Sequence, residues 1–399
     1  MRVRKDAGGV GRAAVKAKSG RTRRGAAVAA LAVVFAACSC GGCAKPPDYP
    51  PTLTFPPRAD RLVLKTPDRQ PDRVGNPEDI DKDIAALDAL GGRTLDPAAL
   101  PADQQKALDG VLAEMFGKPA SPRLPEEPSE RLTEGGKLYR RHCVQCHGMT
   151  GDGRGPTGLW VHPHPRDFRR GAFKFTTTGD GRKPRHADLV RTIREGLRGT
   201  AMPAFSQIPD GDRESLAEYV RFLSIRGQVE YQALAALLDP NADGADDLPG
   251  FARSRLAAIR GEWAKAEAVP PPPVPPELGD INHPEREASV RSGYELFTAP
   301  GGSSCASCHE DFGRKSAYRY DIWGTVIRPA NLTDRDRKGG DGAEAIAARI
   351  RGGIGPSGMP AHASLTDGQV FDLSRFVRAL PYPRELPPDV RQKVYPGSP

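Results

Sequence analysis

The chain has 399 residues, and length alone suggests two or three domains. Apolar residues make up 38%, while 44 glycines and 40 prolines fill about a fifth of the chain, so small cores alternate with much loop and linker. The net charge of +8 invites a nucleic-acid reading. However, nine basic residues and one acid lie within residues 1–37, the remainder carries no net charge, and nucleic acid is disfavoured as a partner.

Residues 1–37 read as an export signal: a basic stretch, then an apolar run from Gly25 to Ala37, too short for the ~20 residues of a spanning helix. Phe35-Ala36-Ala37-Cys38 resembles a bacterial lipobox, which makes Cys38 the lipidation candidate ahead of Cys40 and Cys43. A simply cleaved signal and an uncleaved anchor are the alternatives. All three place the body of the protein outside the cytoplasm, on the periplasmic side of the cell envelope, and lipidation or an uncleaved signal would make the N-terminus its membrane anchor. The twin arginines Arg23-Arg24 are a weaker pointer than the general secretory pattern.

Residues 38–129 read as a tether and a short helical pre-domain. The Pro-rich part, 44–60, is a stiff spacer by composition, and Asp103 to Phe116 reads as a helix. A first compact region covers 130–228. Residues 229–284 form a linker, helical at first and Pro-rich in Val269–Glu277, and a second compact region covers 285–383 before a tail at 384–399.

The two compact regions repeat each other. Gly135-x-x-Leu138-Tyr139 precedes HCVQCHG in the first, and Gly293-x-x-Leu296-Phe297 precedes SCASCHE in the second. Leu189, Ile193 and Gly196 stand before Met202 at the same offsets as Ile346, Ile350 and Gly353 before Met359. After the methionines, Leu216, Tyr219, Val220 and Leu223 match Leu373, Phe376, Val377 and Leu380, each set spaced as one face of a helix. Thr366 and Gln369 form a candidate capping box at the start of the second.

Four of the seven cysteines make two Cys-x-x-Cys-His units: Cys143, Cys146 and His147, then Cys305, Cys308 and His309. This is the attachment signature of c-type haem. Two thiols three positions apart reach the two vinyl groups on one porphyrin edge, and the adjacent imidazole reaches the iron. A zinc site from two Cys-x-x-Cys pairs fits poorly with their wide separation. A thioredoxin-like pair lacks its βαβ surroundings, and neighbouring cysteines at this spacing rarely bridge each other.

A sixth iron ligand must come from elsewhere in each unit. Of five methionines, Met1 and Met115 precede the units and Met149 is too near His147 to reach the opposite ring face. Met202 and Met359 remain, one per unit, each in Met-Pro-Ala. Proline after methionine disfavours helical geometry there, which suits a thioether held in a loop. Histidines 162, 164, 186 and 362 are the competitors.

Both units resemble class I cytochrome c domains, and Cys146–Phe168 is similar to membrane-associated bacterial cytochromes c. The resemblance implies an all-α fold: two helical domains joined by a helical and Pro-rich linker, with two covalent haems c. In that family a nearby proline carbonyl accepts the proton of the ligand imidazole and so orients it, which points to Pro165 and Pro329. Glu310 departs from the glycine that usually follows the ligand histidine. With His147/Met202 and His309/Met359 as ligand pairs, both irons are filled and one-electron transfer follows, rather than enzymatic turnover. The partners are then redox proteins, such as a membrane respiratory complex. The alternative is a peroxidase-like dihaem enzyme with one exchangeable site. Between residues 131 and 228, 18 basic residues face 10 acids. That excess suits either an acidic partner or internal pairing with the acidic flanks.

Overall fold

The computed structural model describes residues 48–73, 79–125, 127–179, 181–239, 242, 246–280, 282–301 and 305–397. The export signal and Cys38, Cys40 and Cys43 lie outside the described residues. Among the described residues, no helix is long and apolar enough to cross a membrane.

Helices dominate, and sheet is confined to small antiparallel ribbons. The leading segment holds β1 (Leu62–Lys65) paired with β2 (Arg93–Leu95), the short helix α1 (Ile80–Ala85) and the longer α2 (Ala102–Phe116), followed by the ribbon β3 (Gly117–Lys118) and β4 (Ser121–Pro122). The first unit contains α3 (Glu130–His142), α4 (Val144–His147), α5 (His186–Glu195), α6 (Asp210–Leu238) and α7 (Leu248–Glu267). The second contains α8 (Pro284–Thr298), α9 (Cys305–Cys308), the ribbon β5 (Arg319–Tyr320) and β6 (Val326–Ile327), then α10 (Ala343–Gly352), α11 (Asp367–Ala379) and α12 (Pro388–Val394).

Each unit is framed by two helices that cross at a glycine. In the first, α3 packs on α6, and a β-carbon at Gly135 would meet the Ser215 carbonyl oxygen and lie 2.9 Å from the Tyr219 β-carbon. In the second, α8 packs on α11, and a β-carbon at Gly293 would meet the Asp372 carbonyl oxygen and lie 2.7 Å from the Phe376 β-carbon. Beside each crossing two aromatic rings pack, Tyr139 with Tyr219 at 5.2 Å and Phe297 with Phe376 at 5.5 Å. The apolar faces read from the repeat are the buried ones: Leu216, Tyr219 and Leu223 in one unit, Leu373, Phe376 and Leu380 in the other. The capping box forms as well. The Gln369 amide donates to Thr366 Oγ1 (3.3 Å) and the Thr366 amide to Gln369 Oε1 (2.9 Å).

Three boundaries differ from those that the sequence suggests. Helix α6 runs unbroken through residue 228, and Val229, Ala233 and Leu234 share a core with Leu256, Ile259 and Trp263 of α7. The helical half of the linker therefore belongs to the first unit. Residues 48–60, Pro-rich as a spacer should be, instead lie along that unit: Phe55 packs on Phe222 at 6.1 Å, and the Arg226 guanidinium covers Phe55. The tail folds back too. Leu386, Val390 and Val394 are buried in the second core, and the Tyr395 hydroxyl donates to the Leu380 carbonyl.

An almost buried charge network ties the leading segment to the first unit. Asp60 pairs with Arg169 (2.7 Å) and Arg58 (2.8 Å), and Asp167 also pairs with Arg169 (2.8 Å). Burial alone would raise the Asp60 pKa, but Arg58 and Arg169 overcome it and hold the carboxyl well below the usual range. A depressed folded-state pKa stabilises at all pH above the unfolded value and loses that contribution as pH falls toward the folded one. Asp60→Asn is expected to cost about 3 kcal/mol or more at neutral pH, because two guanidinium groups lose their shared carboxylate. Denaturant unfolding should show this cost at pH 7 and a smaller one below pH ~3. An equal cost at both would mean that the charge is immaterial.

Candidate haem sites

Both Cys-x-x-Cys-His motifs form a single helical turn. The His147 amide donates to the Cys143 carbonyl (2.9 Å) and the His309 amide to the Cys305 carbonyl (2.9 Å), so the two thiols and the imidazole project from one short turn. All four thiols are unbridged, and burial pushes Cys143 up to about 12 and Cys305 upward. That environment suits a neutral thioether better than the thiolates a zinc ion requires. Among the described residues, no group of three or more His, Cys, Asp or Glu side chains could hold a metal ion.

Each candidate ligand histidine is oriented from behind. The His147 Nδ1 donates to the Arg166 carbonyl (3.1 Å), and the His309 Nδ1 donates to the Ala330 carbonyl (3.0 Å). The accepting carbonyls thus lie one residue beyond Pro165 and Pro329, which corrects those two assignments. Pro165 turns its own carbonyl toward Gly153, where a β-carbon would collide with it. Burial pushes His147 down to about 4 and lowers His309, so both rings are neutral at pH 7. A neutral ring that donates from Nδ1 keeps its Nε2 lone pair for a metal. Phe168 stacks on the His147 ring at 4.7 Å and 20°.

The turn after the histidine differs between the units. Gly148 takes the left-handed region at φ 72°, whereas Glu310 stands in its place and the left-handed turn falls on Asp311 (φ 50°) and Phe312 (φ 58°). Phe312 is held there by stacking on Phe297 at 5.6 Å. Without a glycine beside His309, the chain turns slightly later and accepts some backbone strain.

The two Met-Pro loops are pinned by the same hydrogen bonds. Helix α5 ends at Gly196 (φ 65°) and α10 at Gly353 (φ 67°). The Leu197 amide then donates to the Met202 carbonyl (3.1 Å), and the Ile354 amide to the Met359 carbonyl (2.9 Å). Three residues later the chain is tied back to its helix: Phe205 N–H donates to Ile193 O (3.1 Å), His362 N–H to Ile350 O (3.2 Å). The fixed offsets in the sequence are the offsets of this frame. A β-carbon at either glycine would strike the returning Pro-Ala backbone, within 2.5–2.7 Å in both units.

A cavity of 1050 Å³ opens at the second site. Cys305, Cys308, His309 and Met359 all line it, with Ile350 and Leu373 among its apolar walls. Its size and mixed apolar walls are those of a ligand or cofactor site. His362, His162 and His164 reach the same cavity, so the histidine competitors share this space with Met359. His186 does not; its Nε2 faces the Glu214 carboxylate.

The positive charge of the first unit is largely met within the chain. Arg154 pairs with Asp81, Arg169 with Asp60 and Arg221 with Glu127, all acids of the leading segment. Lys174 pairs with Asp321 and Arg198 with Asp341 of the second unit. This internal pairing accounts for much of the excess without an acidic partner.

A helical frame closed at a glycine crossing, with thiols and an imidazole on one turn, defines a c-type cytochrome. Sequence comparison agrees: the family model for cytochrome c oxidase, cbb3-type, subunit III matches residues 130–220 and again 288–377. The chain thus carries two class I cytochrome c domains in tandem, which support a haem c electron-transfer protein. No curated protein matches it in sequence. Among solved structures, it is similar to a chain of the Kuenenia stuttgartiensis reducing HAO-like protein complex, at 23% identity and a TM-score of 0.44, over 65% of this chain and 99% of that one.

Proposed function

We propose that the chain binds two covalent haems c, one per unit, and carries single electrons between redox partners outside the cytoplasm. Cys143 and Cys146 attach the first haem, and Cys305 and Cys308 the second. His147 and Met202 are the iron ligands in one unit, His309 and Met359 in the other. The observation that carries this reading is the repeated frame of the two Met-Pro loops, which places each methionine identically relative to its own helix. When bound, each haem supplies a one-electron iron couple whose potential is raised by a methionine ligand.

The chain's own residues fix the ligands. The Arg166 and Ala330 carbonyls hold the imidazoles in one tautomer and orientation, and Phe168 prevents the His147 ring from turning. The Tyr139 hydroxyl donates to the Gly148 carbonyl (2.8 Å) and ties the attachment turn to α3. Ligands held this firmly change position little between oxidation states. Haem quantitation by optical spectra together with intact mass tests the count. Two haems per chain are expected, and one per chain sinks the tandem assignment.

The same reading places the protein at the periplasmic face of a membrane, anchored through lipid on Cys38, with a membrane respiratory complex as partner. Covalent haem attachment to an exported, unfolded chain supports the location. Cys38→Ser is expected to move the haem-containing protein from the membrane fraction to the soluble fraction. Retention of the variant in the membrane would leave an uncleaved anchor as the explanation.

A further inference from the structure

The cavity at the second site is not built by the second unit alone. Its wall includes Arg166, Arg170 and Lys174 of the first unit beside Trp323, Lys338 and Arg349 of the second. Arg166 stacks its guanidinium on the Trp323 ring at 3.9 Å, and Lys174 lies over the same ring at 5.6 Å. Thirteen cations line the cavity against eight acids, so it carries a surplus of positive charge. Asp321 cannot meet that surplus. One of its oxygens accepts from the Trp323 amide, the Thr325 amide and the Thr325 hydroxyl, while the other faces Lys174.

A buried donor there lacks a partner, and three cations of the same cavity lack a carboxylate. Trp323 is only 8% exposed, and its indole Nε1 has no hydrogen-bond acceptor. Among the described residues, no ion pair holds Arg166, Lys338 or Arg349; Arg349 donates only to the Lys338 and Gly340 carbonyls. Burial is the main reason that Lys174, Lys338 and Arg349 are pushed downward, Lys174 to about 8 and Arg349 to about 10, and neighbouring cations add to it. A buried indole N–H without an acceptor is costly, and with the carboxylate-free cations Arg166 and Lys338 lining the same cavity the cluster is arranged for an anion that arrives with a ligand.

We propose that Arg166 of the first unit, with Lys338 and the Trp323 indole N–H of the second, receives the carboxylate side chains of the haem held by Cys305, Cys308 and His309. The first unit thereby completes the second haem's pocket. This rests on haem being bound in the second unit. Arg166 then serves both units, its main-chain oxygen orienting His147 and its side chain reaching the neighbouring site.

The test uses full-length holoprotein and an optically monitored redox titration resolved into two components. A count of two haems per chain is made first, and a shortfall there counts against the tandem haem reading and not against this one. The component lost in Cys305→Ala/Cys308→Ala marks the second haem. Removing a cation leaves a carboxylate uncompensated and favours the ferric state, so Lys338→Gln and Arg166→Gln should each lower the midpoint of that component. Any substitution at 166 retains the main-chain oxygen that His147 needs, and Arg166→Lys should recover part of the loss. Trp323→Phe keeps the ring and removes the N–H, and a smaller fall is expected. An unmoved second component in Lys338→Gln and Arg166→Gln, or an equal fall of both components in each, overturns the proposal. If one variant fails to fold, the other decides alone by the same criterion.

Discussion

Gly293→Val is expected to unfold the second unit, and Gly135→Val the first. At each position the incoming β-carbon meets a main-chain carbonyl of the opposite helix, Asp372 or Ser215, and a carbonyl inside a helix cannot rotate away. The helices must separate. Overpacking of this kind costs about 3 kcal/mol or more, whereas replacing a helical glycine returns only about 1 kcal/mol of propensity. The clash therefore wins even for alanine, and valine adds bulk and a stiff side chain. Two other helical glycines supply the control. Gly110 in α2 and Gly261 in α7 have nothing within 4 Å of the added carbon, so alanine there should stabilise by about 0.5–1 kcal/mol. Circular dichroism and denaturant titration of the four alanine variants would check both signs. Four shifts of the same sign would mean that helix propensity, not the crossing, governs these positions.

The frame at those glycines was legible in the sequence because it is local and repeated. The attachment motifs, the glycine at each crossing and the helix faces around Tyr219 and Phe376 all follow from spacing within a segment. The offsets of Gly196 and Ile193 from Met202 could be read as a shared register, although the reason for it lies in two hydrogen bonds that only the folded loop displays. Long-range packing was not legible. Short amphipathic stretches such as 229–238 and 386–394 carry an apolar face but nothing that names the surface covering it. Proline content in 48–60 says that the chain is extended, and an extended chain packs on a neighbour as readily as it stands free. The carbonyl that orients each histidine lies one residue from its expected place for a similar reason. Its register depends on how Phe168 and Leu332 are pinned to Gly151 and Phe312, which no local pattern states.

The contact between units bears on how a haem bound in the second unit would be reached. Arg170 donates to the Ile322 carbonyl, and the loop from 319 to 327 is fastened on both sides of its own site: Arg319 contacts Cys308 Sγ (3.4 Å), and the Ile322 amide donates to the Pro356 carbonyl (3.2 Å) near Met359. The first unit therefore rests on the loop that joins the attachment turn to the methionine loop. Electron exchange weakens with distance through the protein, and this packing brings the His147 side of one unit against the second site.

Met202→Ala and Met359→Ala are each expected to remove part of the far-red methionine–iron absorption and to open one iron to added ligands, with the other haem unaffected. On the proposed ligation Met202 and Met359 would each close their iron to added ligands in the parent, so cyanide and carbon monoxide should bind slowly or not at all and peroxide should not be turned over. Each variant should bind cyanide at one haem per chain. Met202→His and Met359→His supply a nitrogen ligand instead, so the iron stays closed while the potential of that component falls, because methionine ligation raises it. The histidines that share the second cavity set the competing expectation. If His362 held the iron, Met359→Ala would keep the parent spectrum and His362→Ala would change it. Rapid ligand binding or peroxide turnover by the unmodified protein would instead place an exchangeable site in one unit, and the peroxidase-like reading would then replace electron carriage for that haem.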